Sequence, residues 1–393
     1  MVEDVWRDRR ARSRAESLMQ GLGVTSPTRV SRAEARRLAA ARPTAQGGRA
    51  PRRTGSFDYS GGWTVLLDTY GDDEHMGETI VRTTFRDAAQ CRLTAGVCQS
   101  ALELHAAFGC YHRCDYCFCD PFFHIACDLE SLLDALPQYF AQYPHQQLFK
   151  FDNFTDTLVL EPEYGASELL VPYFGRTADR FLLLYTKSDN VAHLLDLPHR
   201  GHTIMNWSLS PTTQSRVIEV NAPDTFARID AMRRCEEAGY TVRARLSPIV
   251  PLVGWQQEFS RMAETLFASV HPDVVSVDVV GWCLPESLAE ATDVSRLDPA
   301  WRETLDVQMG VGNRNAGKYL FPHALRESAL RFAVSEIRRC SPQTPVSICN
   351  ETPAMWAAMG DLLDMKPDHY VCCCGPDSVP GNPMLSRSKS AAH

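Results

Sequence analysis

Short apolar runs alternate with amphipathic stretches through the middle of the chain, from about residue 99 to residue 283. An apolar run of about four to eight residues predicts a buried strand, and apolar residues spaced three or four apart predict a helix. Strands that alternate with helices predict parallel β/α units. Six strands are predicted here, at residues 101–107, 147–153, 181–186, 203–209, 241–250 and 274–280.

Three helices in this region have the clearest patterns. Residues 129–143 carry leucines at helical spacing, and Pro137 inside this stretch predicts a kink or a break. The other two helices cover residues 223–238, which Gly239 ends, and residues 255–269. Six β/α units in series predict an α/β fold, a partial (β/α)6 TIM barrel with N-terminal and C-terminal extensions. In such barrels the site is built at the carboxyl ends of the strands.

The segment before the barrel differs from it in composition. Residues 1–55 are rich in arginine, alanine, serine and proline, which predicts a mobile leader with one helix at residues 31–41. A nucleic-acid-binding arm is the alternative interpretation of the arginines. Residues 56–98 predict a small unit with two β-rich runs, at residues 63–67 and 79–83.

After residue 283 the pattern changes again. Residues 284–379 predict an α/β extension with a helix at 324–339, a strand at 346–349 and a helix at 352–365. The last residues, 380–393, are polar and predict a disordered tail.

Composition limits the classes of protein to which the chain can belong. With 393 residues and 44% hydrophobic residues, it can bury the core of one catalytic domain with extensions. The net charge of -8 gives no general attraction to nucleic acid or membrane. No apolar run approaches the roughly 20 residues of a membrane span, and the first residues lack the apolar region of an export signal. We therefore expect a cytoplasmic protein with reduced thiols, no membrane partner and no nucleic-acid partner.

Three cysteines stand at C-x3-C-x2-C spacing directly after the first predicted barrel strand. They are Cys110, Cys114 and Cys117, with Gly109 before the first and Tyr116 before the last. Three thiolates on one tight loop can hold three irons of a [4Fe-4S] cluster and leave the fourth iron open to a ligand that is not protein. Structural zinc is the alternative, but it normally uses paired C-x2-C units, and no second pair follows at zinc-finger spacing.

This motif resembles that of the radical S-adenosylmethionine (SAM) superfamily. The resemblance implies that SAM chelates the open iron. It also implies that an electron from the cluster cleaves SAM to methionine and a 5'-deoxyadenosyl radical, which takes hydrogen from a substrate. An electron donor such as flavodoxin or ferredoxin would then be a partner. The role of the protein is to position the cofactor and the substrate and to exclude water.

From about Leu102 to Tyr319 the sequence resembles the spore photoproduct lyase branch of this superfamily. Each shared fragment is short, and it is their common order that indicates the branch. The fragments are Tyr185-Thr186-Lys187, Ala192-His193-Leu194-Leu195, Trp207-Ser208-Leu209-Ser210, Pro248-Ile249, Gly254-Trp255 and Gly317-Lys318-Tyr319.

The resemblance implies roles for five residues around SAM. It places Tyr116 near the adenine and makes Lys187 the cation for the SAM carboxylate. Thr155, Asp156 and Ser208 would reach the ribose or the methionyl part. For each of them the alternative is an ordinary polar residue at the mouth of the barrel.

Two departures from that branch argue against repair of spore photoproduct. In the branch, a cysteine at the end of the second strand returns hydrogen to the product radical, and the matching position here is Phe154. A tyrosine follows the last cluster cysteine there, where this chain has Phe118. Because a phenyl ring cannot donate that hydrogen atom, we expect the radical chemistry to end differently.

A second group of cysteines lies near the end of the chain. Cys372, Cys373 and Cys374 are adjacent, and exposed thiols are prone to oxidation. We expect two or three of them to bind an auxiliary [4Fe-4S] cluster with a partner such as Cys349 or Cys283, and one of the three to be idle. The alternative is that all are free, partly buried thiols. Five further cysteines are expected to be structural: Cys91, Cys98, Cys119, Cys127 and Cys235.

Together these features predict a radical SAM enzyme that functionalises a C–H bond of a small nucleoside-like or nucleotide-like substrate. With an auxiliary cluster, sulfur insertion in natural-product biosynthesis is the favoured reaction. The alternatives within the class are a radical epimerase or rearrangement enzyme and, less favoured, DNA repair as in spore photoproduct lyase. A metal-dependent nucleic-acid binder with structural zinc is the alternative from another class.

Overall fold

The computed structural model describes residues 1–40, 64–71, 80–89, 96–117, 119, 122–281, 283–310 and 319–386. Within these residues the chain forms two sheets surrounded by helices. In chain order the strands are β1 (Thr64–Asp68), β2 (Thr83–Arg86), β3 (Ala101–Leu104), β4 (Ala107–Phe108), β5 (Phe122–Ala126), β6 (Leu148–Phe151), β7 (Phe181–Thr186), β8 (Thr203–Ser208), β9 (Thr241–Ile249), β10 (Val275–Val279) and β11 (Val346–Ile348).

The described helices cover both flanks and most of the connections between strands. They are α1 (Glu3–Arg7), α2 (Arg9–Gly21), α3 (Arg32–Ala40), α4 (Leu129–Gln142), α5 (Ala166–Phe174), α6 (Thr212–Val217), α7 (Thr225–Glu237), α8 (Trp255–Ser269), α9 (Pro285–Ala291), α10 (Pro299–Gly310), α11 (His323–Cys340) and α12 (Pro353–Ala358). Among these helices, none combines the length and the apolar character that a membrane span requires.

The larger sheet has eight strands in the order β11-β10-β9-β8-β7-β6-β3-β2. Its strands from β3 to β11 are parallel, and β2 pairs antiparallel with β3 at one edge. Parallel strands bury both faces, which is why they appeared in the sequence as short continuous apolar runs. The two edge strands do not pair with each other, so the sheet is an open, partial barrel. The predicted α/β fold is confirmed.

Two of the predicted strands differ from the structure in their extent or in the sheet that they join. The run at residues 101–107 divides into β3 and β4, and β4 leaves the barrel to join the smaller sheet β1-β5-β4. The strand predicted in the C-terminal extension is β11, which pairs parallel with β10 and so extends the barrel sheet. Pro137 lies inside α4 without ending the helix, and Gly239, with φ of 90°, follows α7 as expected.

The structure corrects the prediction of a mobile leader for residues 1–40. These residues form α1, α2 and α3, and they bury Val5 and Leu18 in the core. Arg14 forms two hydrogen bonds of 3.0 Å with the carboxylate of Glu130. The arginine-rich composition was misleading because alanine and leucine at helical spacing form a packed face, while the arginines bind acids that lie far away in sequence. The rest of the leader lies outside the described residues.

The tail prediction is corrected in part. Met384 and Leu385 pack against the core, and the N–H of Ser386 donates to the carbonyl of Asp273 at 2.9 Å. Residues up to 386 are therefore attached to the barrel, and residues 387–393 lie outside the described part.

Candidate active site

The cysteine loop leaves the smaller sheet at Gly109 with a conformation that favours glycine. Its φ is 98°, and a Cβ there would lie 2.3 Å from the carbonyl oxygen of Phe122. The N–H of Gly109 donates to the carbonyl of Phe154 at 3.0 Å, and Cys119 Sγ donates to the same oxygen at 3.4 Å. One carbonyl, that of Phe154 in the segment after β6, therefore holds both ends of the loop.

The three thiols of the loop are close enough for their charges to interact. Burial raises the pKa of Cys110, and the charges of Asp156, Cys117 and Cys114 raise it further. Burial also raises the pKa of Cys114. In the described part of the chain, no three Cys, His, Asp or Glu side chains stand as close together as ligands of one metal ion. The donor set is nevertheless that of a [4Fe-4S] cluster, because three thiols on one short loop can each lose a proton to iron.

Asp156 joins the cysteine loop to the end of β7. One of its oxygens accepts from the N–H of Lys187 at 2.5 Å and lies 3.0 Å from His112 Nε2. The other accepts from the Thr186 hydroxyl at 2.8 Å and the N–H of Leu158 at 3.0 Å. Burial raises the pKa of Asp156, but the charge of His112 and the hydrogen bonds outweigh it and hold the pKa below its usual value. Asp156 thus positions the loop and Lys187, and its contact with SAM stays a prediction.

A buried carboxylate that sequence reasoning missed, Glu219, lies behind Tyr116. The hydroxyls of Tyr116 and Ser210 each donate to Glu219 Oε1 at 2.6 Å. Arg228 NH1 lies 2.6 Å from Oε2 as an ion pair, and Lys187 Nζ lies 3.9 Å from Oε1. Although burial raises the pKa of Glu219, the charges of Arg228 and Lys187 outweigh it and bring the pKa to about 2.

The residues that the resemblance assigns to SAM binding differ in their neighbours and in their hydrogen-bond partners. The Lys187 ammonium is 5.9 Å from the centre of the Tyr116 ring and close enough to Cys114 for their charges to interact, so these side chains surround one end of the loop. The buried Oγ1 of Thr155 has no hydrogen-bond partner within the described structure. Half-buried Ser208 ends β8, and its carbonyl accepts from Arg228 at 3.1 Å. Their roles toward SAM stay predictions.

Phe154, which the resemblance matches to a hydrogen-donating cysteine, is held by aromatic packing. Its ring centre lies 4.6 Å from that of His105 and 4.9 Å from that of Phe108. His105 is fixed in turn by Asp152, 2.9 Å away. Phe118, the second departure, lies outside the described residues.

The barrel interior next to this loop is lined with charged side chains. Lys150 on β6 and Arg245 on β9 each place their cationic group 5.5 Å from the ring centre of Tyr185 on β7. Lys150 also pairs with Glu103 on β3. Side chains from four strands meet here because the sheet curves around them. On β10, Asp278 is half-buried with its pKa raised by burial, and its Oδ1 has no hydrogen-bond partner in the described residues.

The C-terminal cysteines reach this interior from the amino ends of the strands. The carbonyl of Pro376 accepts from the N–H of Leu148, the first residue of β6, at 3.1 Å. Interaction with Cys372, the charges of Lys150 and Arg86, and interaction with Tyr185 hold the pKa of Cys374 below its usual value. Cys373 faces the opposite way, with its Sγ 3.5 Å from the carbonyl of Ala244.

The adjacent thiols have different partners, because Cys372 Sγ donates to Gln99 Oε1 at 3.4 Å while Cys373 Sγ lies beside the carbonyl of Ala244. Cys349, directly after β11, interacts with Cys374, whereas Cys283 is packed in the hydrophobic core. Cys98, which was expected to be structural, lies close enough to Cys372 for their charges to interact.

Known proteins with a similar sequence point to one family. A family model described as Spore photoproduct lyase matches residues 94–280. The spore photoproduct lyase of Bacillus subtilis (strain 168) is 25% identical over 175 residues, which are 43% of this chain and 51% of the relative. That of Geobacillus sp. (strain Y412MC61) is 24% identical over 167 residues, 41% of this chain and 49% of the relative. The chain thus spans about half the length of the curated relatives it matches.

Solved structures show the same relationship at the level of the fold. A spore photoproduct lyase double mutant with bound AdoMet and dinucleoside spore photoproduct has a TM-score of 0.61 at 15% identity, covering 89% of this chain and 97% of that one. The lyase complexed with dinucleoside spore photoproduct has a TM-score of 0.57 at 16% identity, over 88% and 96%. The open barrel has the fold of these lyases. Over residues 94–280 the sequence is similar to the spore photoproduct lyase family.

Proposed function

We propose that this chain is a radical SAM enzyme that takes hydrogen from a small molecule held inside the barrel. The observation that carries this proposal is the cysteine loop, with Lys187 and Tyr116 beside it, at one end of a polar barrel interior. Cys110, Cys114 and Cys117 would hold the [4Fe-4S] cluster, which with SAM supplies the radical that starts the reaction. An electron donor such as flavodoxin or ferredoxin would reduce the cluster.

The chain's own residues keep this end of the barrel in place. Asp156 fixes the loop through His112 and the start of the next segment through Lys187. Glu219 fixes the hydroxyl of Tyr116 and balances the buried charge of Arg228. Such positioning matters because a reactive radical must meet the substrate in one geometry, away from water.

The substrate that we propose is a nucleotide or a nucleotide-like molecule. Arg245 and Lys187 place cationic groups at the barrel interior, and a guanidinium matches the oxygens of a phosphate group. The carboxyl of Asp278, with an oxygen lacking a protein partner in the described residues, could bind a hydroxyl or amino group. The related lyase was solved with a dinucleoside photoproduct, which supports a nucleotide-like ligand here.

Sulfur insertion is the reaction that we propose. Phe154 provides no thiol at the position of the hydrogen donor, so a substrate radical there would not be returned directly to product. The charges of Cys374 and Cys349 interact, and we propose that these two thiols and Cys372 hold the sulfur source. This combination favours formation of a C–S bond over repair.

One contact favours a second candidate, a radical epimerase or rearrangement enzyme. Cys119 Sγ lies 3.4 Å from the carbonyl oxygen of Phe154, so a thiol stands near the position that a hydrogen donor would need. Such an enzyme would return a hydrogen atom to the substrate radical, and the product would have the mass of the substrate.

Anaerobic incubation with SAM, a reductant and a panel of nucleosides and nucleotides tests these proposals. We expect 5'-deoxyadenosine together with a product whose mass has increased by incorporated sulfur. A product of unchanged mass would favour the epimerase, and conversion of dinucleoside spore photoproduct to thymidines would favour repair. Absence of SAM cleavage with every substrate and reductant, in protein that contains the cluster, would overturn the proposed class of reaction.

A further inference from the structure

We propose that the surface around the cysteine loop is the docking site of an acidic one-electron carrier protein of the flavodoxin or ferredoxin kind. The donor surface, as we call it, comprises Arg113, Arg216, Val220, Phe226 and Val253. Its role rests on the proposed function, because only a reaction that starts at the cluster needs an electron there. One electron would leave the reduced carrier, which is oxidised, and enter the cluster, which is reduced, and no atom is transferred.

The segment after α6 lies along the cysteine loop and is bonded to it through the backbone. The N–H of Asp115 donates to the carbonyl of Ile218 at 2.9 Å, and the N–H of Asn221 donates to the carbonyl of His112 at 3.3 Å. The later residue of the loop thus meets the earlier residue of the segment. The two stretches therefore run side by side in opposite directions.

This arrangement brings the residues of the donor surface to one end of the barrel. Arg113 lies between the bonded positions of the loop and Val220 between those of the segment, so the two are neighbours. Arg216 is exposed at the end of α6, four residues before Val220. Phe226 lies in the first turn of α7, and Val253 lies just before α8, which packs on α6. Because these helices follow barrel strands, they begin at the carboxyl ends of the strands, where the cysteine loop also lies.

Apolar side chains are unusually exposed on the donor surface. Val220 is 47% exposed, Phe226 is 41% exposed and Val253 is 65% exposed. They are three of the six exposed large apolar side chains in the described part of the chain. A single exposed apolar residue is ordinary, but several at one face are typical of a surface that a partner covers.

The two arginines of the donor surface have no acidic partner. Neither half-buried Arg113 nor exposed Arg216 forms a hydrogen bond or an ion pair with its side chain within the described residues. Other surface arginines do form such pairs: Arg233 pairs with Glu237, and Arg331 pairs with a glutamate one helical turn away. The donor surface therefore offers two guanidinium groups to carboxylates of another protein.

The acids around the donor surface are already engaged. Glu219 is fully buried and forms an ion pair with Arg228. Asp224 is exposed, but its carboxylate accepts from two backbone N–H groups at the start of α7. Asp293 pairs with Arg296, whose carbonyl accepts from the backbone next to α8. The donor surface is thus locally positive.

Charge on the rest of the chain makes this local difference important. The net charge of the chain is -8, so an acidic carrier is repelled by the molecule as a whole and attracted at the two free arginines. Such a charge pattern orients a partner during its approach. Electron transfer slows steeply with distance, and Arg113 stands between two of the proposed cluster ligands. Small surfaces with apolar and charged residues also suit the transient complexes of electron carriers.

Binding of oxidised flavodoxin to the full-length chain tests the proposal without requiring turnover. Isothermal titration calorimetry at low ionic strength should show a complex whose Kd increases with added salt. Arg216→Glu and Val220→Asp should each raise the Kd about tenfold or more, because one reverses a charge and the other charges the apolar part. Arg200→Glu is the matched control, since Arg200 is exposed directly before β8, at the opposite end of the barrel. Its Kd should stay within about twofold of the unaltered value.

SAM cleavage with two different reductants provides a second readout. Dithionite is a small ion that needs no docking surface, whereas flavodoxin with its reductase and NADPH must bind. Arg216→Glu should reduce flavodoxin-driven formation of 5'-deoxyadenosine about tenfold and leave dithionite-driven formation within about twofold of the unaltered rate.

The outcomes separate the donor surface from the proposed function. An equal Kd in Arg216→Glu, Val220→Asp and the control would overturn the proposal, and so would the absence of binding to both flavodoxin and ferredoxin. A dimer in analytical ultracentrifugation that Val220→Asp dissociates would overturn it too, because a second copy would then cover the surface. Absence of cleavage with dithionite would contradict the proposed function and leave the binding result intact. Far-ultraviolet circular dichroism identifies misfolded variants, and the exposed position of Arg216 keeps one variant informative if Val220→Asp does not fold.

Discussion

The two cysteine segments of this chain are built in different ways. The loop of Cys110, Cys114 and Cys117 carries its thiols within one short stretch at the carboxyl ends of the strands. The segment that contains Cys372, Cys373 and Cys374 is held by residues from elsewhere in the chain: Cys372 Sγ donates to Gln99 Oε1 at 3.4 Å, and the carbonyl of Pro376 accepts from the N–H of Leu148 at the start of β6.

The two segments are held in place by different kinds of interaction. The first loop needs a fixed backbone, which Gly109 and the carbonyl of Phe154 provide. The second segment needs tertiary contacts, and Arg243 supplies them by donating to the carbonyls of Cys373 at 3.0 Å and Ser378 at 2.7 Å. If the two segments are as separate in function as they are in structure, changes in one should leave the chemistry of the other intact.

The largest difference should appear in SAM cleavage. Cys114→Ala should reduce 5'-deoxyadenosine formation to the background without enzyme, because the cluster loses a ligand on which the whole reaction depends. Cys372→Ala/Cys374→Ala should keep cleavage within about threefold of the unaltered rate, since sites that share no partners behave independently. Chromatographic quantification of 5'-deoxyadenosine measures both. Equal loss in both variants would show that the segments form one functional unit.

The second-largest effect is expected from a change in the backbone conformation of the cysteine loop. Gly109→Ala should lose the iron of the loop, because the new Cβ would clash with the backbone of Phe122 and the residue must keep φ at 98°. Gly23→Ala is the control: its φ of 68° gives backbone strain of about 1–2 kcal/mol, but no atom lies within 4 Å of the new Cβ. Iron content and thermal unfolding distinguish the two variants. Full iron in Gly109→Ala would contradict the close approach.

The ion pair behind the loop should contribute strongly to stability. Glu219→Gln should lower the free energy of unfolding by about 3–5 kcal/mol, because Arg228 stays buried without its counter-charge. The pKa of Glu219 is lowered from 4.5 to about 2, so its contribution is present above pH 4.5 and is lost as the pH falls toward 2. Urea unfolding at several pH values should show this dependence in the unaltered chain and its reduction in the variant.

The corresponding pair under the C-terminal segment, Arg243 with Asp273, provides a comparison. Asp273→Asn should destabilise the fold to a similar degree. At temperatures where the variant remains folded, it should leave SAM cleavage unchanged. Loss of cleavage in folded Asp273→Asn would show that the two ends of the barrel are coupled.

The smallest effect is expected for the glycine of the C-terminal segment. A Cβ at Gly375 would meet Gln99 Oε1 at 2.0 Å and Ser378 Oγ at 2.6 Å, but both atoms end side chains that can rotate away. Gly375→Ala should therefore cost about 1 kcal/mol or less. Thermal unfolding measures this cost. A loss of stability as large as that of Gly109→Ala would mean that the C-terminal segment is held as rigidly as the loop.

The parts of the site that the sequence predicted are those whose information is local. Cys110, Cys114 and Cys117 were assigned to a cluster from their spacing alone, and that assignment stays a prediction. The barrel strands were predicted because buried parallel strands are short apolar runs. Glu219 was missed because it belongs to no motif, and the partners that give it a role, Tyr116 and Arg228, meet it only in the folded chain.

By itself, the sequence determined the α/β barrel and the loop at which radical chemistry would begin. Only the tertiary structure decided that residues 1–40 form helices packed on the core, that Cys373 Sγ faces the carbonyl of Ala244, and that Gln99 binds the C-terminal segment. The physical reason is distance along the chain. Strand and loop patterns depend on neighbouring residues, whereas these contacts depend on pairing between segments that no local pattern records.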